Sequence, residues 1–493
     1  MNPTTYRGED KALIGIVLSV LTFWLFAQST LNIGPDMGTS LGMSTETMNI
    51  AVVAAALFCG TFIVAAGGIA DVFGRVKVMT LGNILNIIGS LLIAAATSAF
   101  ATEMVIVGRV LQGLAAAAIM SSSLALVKTY WLGAARQRAV SIWSIGSWGG
   151  TGFCALFAGL VVASPFGWRG IFVLGAFVSL VSIFMTRHIP ESRPAQHVGM
   201  RLDWYGIGAL ALAVLSLELF ITQGEALGWT NWMTWTLLAV SATFLVLFFQ
   251  IEKFVAWPVL DFNLFKDRAF SGATLTNFLM SATGGVVAVV MWIQQSGWGV
   301  SSTVSGLTSI GFAVCVLLFI RVGEKTMQKV GARAVIVVAG ILVAISVALM
   351  MITNVSEGAY IAISLLGFSL YGIGLGLFAT PVTDTALGTL PKERTGAGAG
   401  VFKMSSSLGA AIGIAISTSV FLAIRDGNGL NSEVAMAGTI SLGINLAFTL
   451  AATLTAAVLI PATVGRVAQR RRPAQDPASV PAAYESRPFA VFR

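Results

Sequence analysis

Ionisable side chains are scarce in this chain, so each one set within apolar sequence narrows the chemistry open to it. Arg109 stands in GRVLQGLAAA, residues 108–117, with Gln112 three positions on and on the same helical face. An arginine deep in hydrocarbon costs about 2.5–3.5 kcal/mol, so its default place is the interior of a bundle, facing a polar or anionic group. Gln28 and Asn32, in AQSTLNIGP, are four apart and share a face, where polar groups either join helices or line a cavity. Asp71, Arg75 and Lys77 crowd into GGIADVFGRVK, residues 67–77, together with Gly67 and Gly74. Asp384 sits in ATPVTDTALG, Lys403 begins an apolar run, and Glu218 stands near the end of another. Trp24, Phe26 and Phe278 offer flat faces on which a ring can stack. This is the chemistry of recognition and charge pairing. Bond-making would need ionisable groups clustered at one depth, so no enzyme is expected. Cys59, Cys154 and Cys315 lie singly in apolar runs, and His188 and His197 share one polar loop. That pattern argues against a disulfide framework and against a metal site.

The elements that must position these residues follow from composition. The chain has 493 residues, of which 56% are hydrophobic and 10% charged; a soluble chain would be about 25% charged. Apolar runs long enough for a membrane helix, about 20 residues, number fourteen. The first is 12–33, the fifth 139–162, an isolated pair 206–222 and 232–251, and the last 440–462. Helices satisfy their own backbone in lipid and are the natural choice. With the N-terminus in the cytoplasm, all but four of the 29 Lys and Arg fall on that side: Arg169 and Arg425 lie outside, Arg109 and Lys403 within spans. This asymmetry accounts for the net charge of +8 without nucleic acid. No cleaved signal peptide is expected from MNPTTYRGEDK.

The expected fold class is an all-α polytopic membrane protein with both termini cytoplasmic. It has a six-helix bundle at 1–187, a linker plus two additional helices at 188–252, a second six-helix bundle at 253–465, and a disordered tail at 466–493. Arg466, Arg470, Arg471 and Arg472 of the tail are expected to rest on anionic lipid. FIRVGEKTMQKVGAR, residues 319–333, is a faded repeat of GGIADVFGRVK, which supports two related halves with a midplane site between them. Gly152, Ala155 and Gly159 form a small-residue face on the fifth span; Ser406, Gly409, Gly413 and Ser417 mirror it on the thirteenth. Such faces permit either sliding contact between the halves or tight static packing.

GGIADVFGRVK falls between the second and third spans, where it resembles the loop signature of the major facilitator superfamily, G-x-L-A-D-R-x-G-R-[RK]. The matching positions are Gly67, Ile69, Ala70, Asp71, Gly74, Arg75 and Lys77, with Val72 where a base is common. GRVLQGLAAA resembles the family's fourth-span signature. The long basic segment 187–203, between six spans and eight, resembles the fourteen-span drug:proton antiporter branch. A closer likeness to quinolone and multidrug exporters of that branch runs from LIGIVLSVLTFWLFAQS through WSIGSWGG to ATPVTDTA. The resemblance implies two six-helix bundles plus two inserted helices in a bacterial plasma membrane. It implies efflux of amphipathic drugs by alternating access, driven by a proton gradient, with no cofactor. The implied partners are drugs, protons and membrane lipids, with no nucleic acid, and the chain is expected to be a monomer. Two departures stand out: the first span has no acid before Asp36, and Leu156 replaces a proline in the fifth. Proton-coupled uptake or export of a metabolite, and lipid flipping on the same fold, stay open as alternatives.

By that resemblance, Asp71 is expected to face the N-terminal end of a helix starting near Gly400. Gly67, Asp71, Gly74, Arg75, Lys77, Asp384 and Lys403 form the expected cytoplasmic gate. Gln28, Asn32, Arg109, Gln112, Trp24, Phe26 and Phe278 form the expected substrate site, with Arg109 receiving an anionic group. Glu218 is expected at the membrane interface, because the inserted pair should pack outside the core.

Overall fold

The computed structural model describes residues 8–193, 203–228, 230–255, 262–300, 302–390, 395–425 and 432–462. Helices account for nearly all of these, and no strand occurs among them. The tail 466–493 and His197 lie outside the described residues. The first half comprises α1 (Asp10–Leu21), α2 (Thr30–Leu41), α3 (Thr45–Phe73), α4 (Arg75–Ala94), α5 (Ala101–Tyr130), α6 (Gly133–Ser144), α7 (Gly150–Val162) and α8 (Arg169–Thr186). The inserted pair is α9 (Trp204–Leu227) and α10 (Trp232–Phe254). The second half comprises α11 (Arg268–Ser281), α12 (Gly285–Trp298), α13 (Ser302–Thr308), α14 (Ile310–Val330), α15 (Ala332–Met350), α16 (Glu357–Thr389), α17 (Thr395–Arg425) and α18 (Ser432–Leu459).

Among the described residues, 13 of the expected spans are helices long and apolar enough to cross a membrane. The fifth, 139–162, differs. There α6 and α7 are joined by a π-helical turn, Ile145–Gly149. Gly146, Gly149, Gly150 and Gly152 crowd this stretch and weaken the helical ladder. They also admit the first span closely: a Cβ on Gly150 would stand 2.9 Å from the Trp24 Cβ. The first span is broken too, by a π turn at Thr22–Phe26 and a 3-10 turn at Ala27–Ser29. Its counterpart in the second half is broken by a 3-10 turn, Ala282–Gly284, between α11 and α12. Backbone groups released at such breaks need partners from neighbouring helices.

The faint repeat resolves into a shared turn. Gly74 joins α3 to α4 with φ 118° and ψ 134°, and Gly331 joins α14 to α15 with φ 94° and ψ 157°. Both φ values are positive, a region glycine enters without a Cβ penalty. The acid is not shared in register: Glu324 stands about one helical turn earlier before its glycine than Asp71 does. Across the seam between the halves, α3 crosses α17, and α14 packs against α6 and α7. The inserted α9 pairs with α10 and leans on both α3 and α17. Leu91, Phe177, Phe184, Leu454 and Val458 are exposed on the periphery, as lipid-facing side chains must be.

Candidate functional site

Asp71 ends α3 and is 3% exposed. Its Oδ1 and Oδ2 accept from the Gly396 N–H at 3.0 and 2.9 Å, and Oδ2 accepts from the Ala397 N–H at 3.2 Å. These are first-turn amides of α17, donors with no partner inside their own helix, at the positive end of its dipole. Arg75 opens α4 and holds the carboxylate from its own half: Nε and Nη2 donate to Asp71 Oδ1 at 3.0 and 2.8 Å. Its Nη1 also donates to Thr129 Oγ1 at 2.7 Å and Ser192 Oγ at 3.2 Å. Asp71 is thus fixed within the first half while it caps a helix of the second.

Glycines set the approach. Gly67 and Gly396 meet at the crossing of α3 and α17, and a Cβ on either would collide with the other's carbonyl oxygen. A Cβ on Gly400 would stand 2.7 Å from the Ile63 carbonyl oxygen. Gly74 clears room for Glu191, whose Cδ would stand 2.5 Å from an added Cβ. The Glu191 carboxylate accepts from the N–H groups of Val76 at 3.0 Å and Lys77 at 3.1 Å, capping α4. The chain after α8 therefore folds back onto the motif. Sequence reasoning missed Glu191 and Ser192; the only signal was a small polar cluster, P-E-S, after the sixth span. The Lys77 side chain is exposed.

A second contact joins the same end. Arg136 of α6 donates from Nε to Asp384 Oδ1 of α16 at 2.8 Å, and Gln137 Nε2 donates to Oδ2 at 3.4 Å. Lys128 Nζ donates to the Leu390 carbonyl. On the mirrored crossing, Glu324 of α14 lies in electrostatic reach of Arg138 on α6, which pairs with Asp10 at 2.9 Å. These polar contacts between the halves gather at the Lys- and Arg-rich end. Lys403 stands apart from this group, deeper along α17.

Arg109 is put to a different use from the one expected. It is fully buried. Nε donates to the Ala51 carbonyl at 3.0 Å and Nη2 to the Val52 carbonyl at 2.9 Å, both on α3. Nη1 donates to the Ala27 carbonyl at 2.8 Å and to Gln112 Oε1 at 2.9 Å. Four of its five N–H donors are taken within the first half. The Ala27 carbonyl, in the 3-10 turn Ala27–Ser29, accepts from the Thr30 N–H and from Thr30 Oγ1 at 2.9 Å as well as from Arg109. Gln112 passes the contact on, donating from Nε2 to Ser90 Oγ at 3.0 Å. Arg109 is a staple between the first, second and fourth spans, and it is not disposed as an open anion receptor.

The charge that does lie between the halves is Lys403. It is 6% exposed, and its Nζ lies 5.5 Å from the Trp24 ring centroid and 5.2 Å from that of Trp143. Both indoles belong to the first half. Glu218 is 4% exposed, not interfacial. Its carboxylate fills the space a Cβ on Gly60 would take, near the middle of α3. Cys59 lies in electrostatic reach of both Glu218 and Lys403.

The remaining expected residues scatter. Gln28 and Phe278 are half-buried. Phe26 packs edge-on against Phe157, centroids 5.0 Å apart, within the first half. The side chains of Asn32 and Ala155 lie outside the described residues. Of the small-residue faces, Gly152 meets the other half, with an added Cβ 3.1 Å from the Ala313 Cα, whereas Gly159 faces open space. Gly409 and Gly413 do not face the seam. They receive the backbones of Phe278 and Ala282 within their own half, because that side of α17 packs on α11. The seam is lined instead by Gly396 and Gly400, one end of the same helix.

The family model described as Major Facilitator Superfamily matches residues 12–414. Quinolone resistance protein NorB of Staphylococcus aureus (strain MRSA252) is 41% identical over 442 residues, covering 90% of this chain and 95% of its own. Among solved structures, the proton:xylose symporter XylE bound to 6-bromo-6-deoxy-D-glucose superposes with a TM-score of 0.63 at 16% identity, over 92% of this chain and 96% of that one. The human organic anion transporter MFSD10 gives a TM-score of 0.62 at 15% identity, over 91% and 98%. At such identities these two likenesses are of fold. With its helical halves, its glycine turn and its capped α17, the chain belongs to the major facilitator superfamily.

Proposed function

We propose that this chain is a secondary active exporter of amphipathic drugs, quinolones among them, working by alternating access in a bacterial plasma membrane and exchanging drug for protons. The 41% identity to a protein named for quinolone resistance, across nine-tenths of the chain, supports the substrate class. The observation that carries the mechanism is the seam at the basic end, which the positive-inside rule assigns to the cytoplasm. Asp71 on the amides of α17 and Asp384 on Arg136 join the halves there. A carboxylate at a helix N-terminus contributes about 0.3–1 kcal/mol, and up to about 2 where partly buried. A few such contacts bias an equilibrium between two arrangements without locking it. Closing the cytoplasmic end is the step that commits cargo to leave outward. Parallel repeats with a site between them suit this rocking.

The test is drug accumulation in inside-out membrane vesicles carrying the chain. With an acid-inside pH gradient, a fluoroquinolone is expected to accumulate, and adding drug is expected to dissipate the gradient. Accumulation indifferent to the gradient would refute proton exchange. No accumulation across a panel of amphipathic drugs would refute export.

A further inference from the structure

We propose that Lys403 is the residue that receives a substrate's carboxylate, and that the cargo is a flat-ringed amphiphile carrying that carboxylate together with an ammonium directed toward Glu218. The substrate class rests on the export reading above; the residue rests on geometry. Lys403 reaches from α17 into the first half, where its ammonium lies over the faces of Trp24 and Trp143. Indole faces attract a cation but offer it no lone pair. Among the described residues the Lys403 ammonium enters no ion pair; the four that occur are at Arg75, Arg136, Arg138 and Arg321. A buried ammonium has three donors to satisfy, and a buried charge without a counter-charge is costly. No described carboxylate stands at ion-pair distance from it.

Trp24 supplies a second donor beside it. Its Nε1 is buried and has no hydrogen-bond partner, while the Trp143 Nε1 is tied to Ser123 Oγ at 2.9 Å. Trp143 is therefore a fixed wall, and Trp24 presents an unused N–H next to an unneutralised ammonium. An ammonium and an indole N–H are both donors that a carboxylate can accept from. Arg109 is no rival, since four of its five N–H groups are already engaged. A carboxyl group also lies along α3. Glu218 lies against Gly60, and Cys59, one residue earlier on α3, is in electrostatic reach of both Glu218 and Lys403. A zwitterion lying along this stretch of α3 meets the Lys403 amine at one end and the Glu218 carboxyl at the other. Because Lys403 and the indoles belong to different halves, a bound carboxylate also favours the arrangement that brings them together.

The experiment compares binding of a fluoroquinolone acid and its methyl ester to the purified whole chain in nanodiscs. The wild type is expected to prefer the acid by about tenfold or more, the range of a charge-assisted hydrogen bond. Lys403→Gln should bring the ratio of the two dissociation constants to about one. That ratio does not depend on how much of the protein is folded. Trp24→Phe keeps an aromatic face, removes the N–H, and should cost the acid about fivefold relative to the ester. An unchanged acid preference in Lys403→Gln, or no preference in the wild type, overturns the inference. An acid preference in binding by a protein whose vesicles accumulate no drug would uphold it and sink the export reading.

Discussion

Asp71→Asn is the sharpest test of the contact between the halves. Asparagine keeps the shape of the side chain and one acceptor oxygen but removes the charge. Two interactions suffer: the cap on Gly396 and Ala397 of α17, and the pair with buried Arg75. Stranding a buried guanidinium costs about 3–5 kcal/mol. That cost falls on both arrangements alike, because Asp71, Arg75 and Thr129 belong to the first half and Ser192 to the segment that folds directly back onto it. Only the cap differs between a closed and an open basic end, and only a difference moves a conformational balance. A charged cap in this buried setting is worth about 1–2 kcal/mol, so the closed-to-open ratio should fall about five- to thirtyfold. Spin labels at exposed Lys77 and Lys325, one on each half, would read this as a distance distribution, after replacement of Cys59, Cys154 and Cys315. Asp71→Asn should enlarge the long-distance population. Arg75→Gln should lower thermal stability yet move the distribution less. A folded Asp71→Asn with the wild-type distribution, or an Arg75→Gln shift as large, would refute the reasoning.

Four further outcomes follow from the same geometry. Arg109→Gln leaves the Ala51 and Val52 carbonyls without their Arg109 partner and should destabilise the first half by about 1–3 kcal/mol, seen as a lower unfolding midpoint, while the acid-to-ester binding ratio stays at the wild-type value. Gly67→Ala sets a Cβ against the Gly396 carbonyl, and the Lys77–Lys325 labels should then report an opened basic end. Asp384→Asn should shift that balance by less than about fivefold, because Arg136 retains 20% exposure and such pairs contribute about 1 kcal/mol or less. Glu218→Gln should weaken binding of an ammonium-bearing drug about tenfold, and leave a ring carrying only a carboxylate unaffected in equilibrium dialysis.

How far these features could be read ahead depended on how local their causes are. The spans and the two halves follow from hydropathy and a faint repeat, and the contact of Asp71 with α17 was implied by the family resemblance of a short motif, so these were legible. The depth of Arg109 was legible, but its partner was not. The Ala27 carbonyl meets Arg109 where the turns at Thr22–Ser29 interrupt the first span, and where such turns fall against a neighbouring helix has no local code. Glu218 was misplaced because hydropathy ends its span at 222, while α9 runs on to Leu227 and so draws the carboxylate inward. Gly409 and Gly413 show another gap. Helical spacing says which residues share a face, and it is silent on what that face meets. One long helix such as α17 presents its first turns to α3 and later ones to α11. Glu191 caps a helix more than a hundred residues earlier in the chain, a closure visible only once the first bundle is assembled.

The inserted helix carries a consequence for symmetry in the plane of the bilayer. In a pseudo-twofold molecule the groove between α3 and α17 has a mate between α7 and α14. The insertion happens once, and α9 settles into the first groove, touching both walls. The mate receives no such guest from it. Among the described residues, the inserted helix thus covers one of the two related seams and leaves the other to α6, α7 and α14 alone. The fold therefore has a front and a back in the plane of the membrane, although its two halves are related.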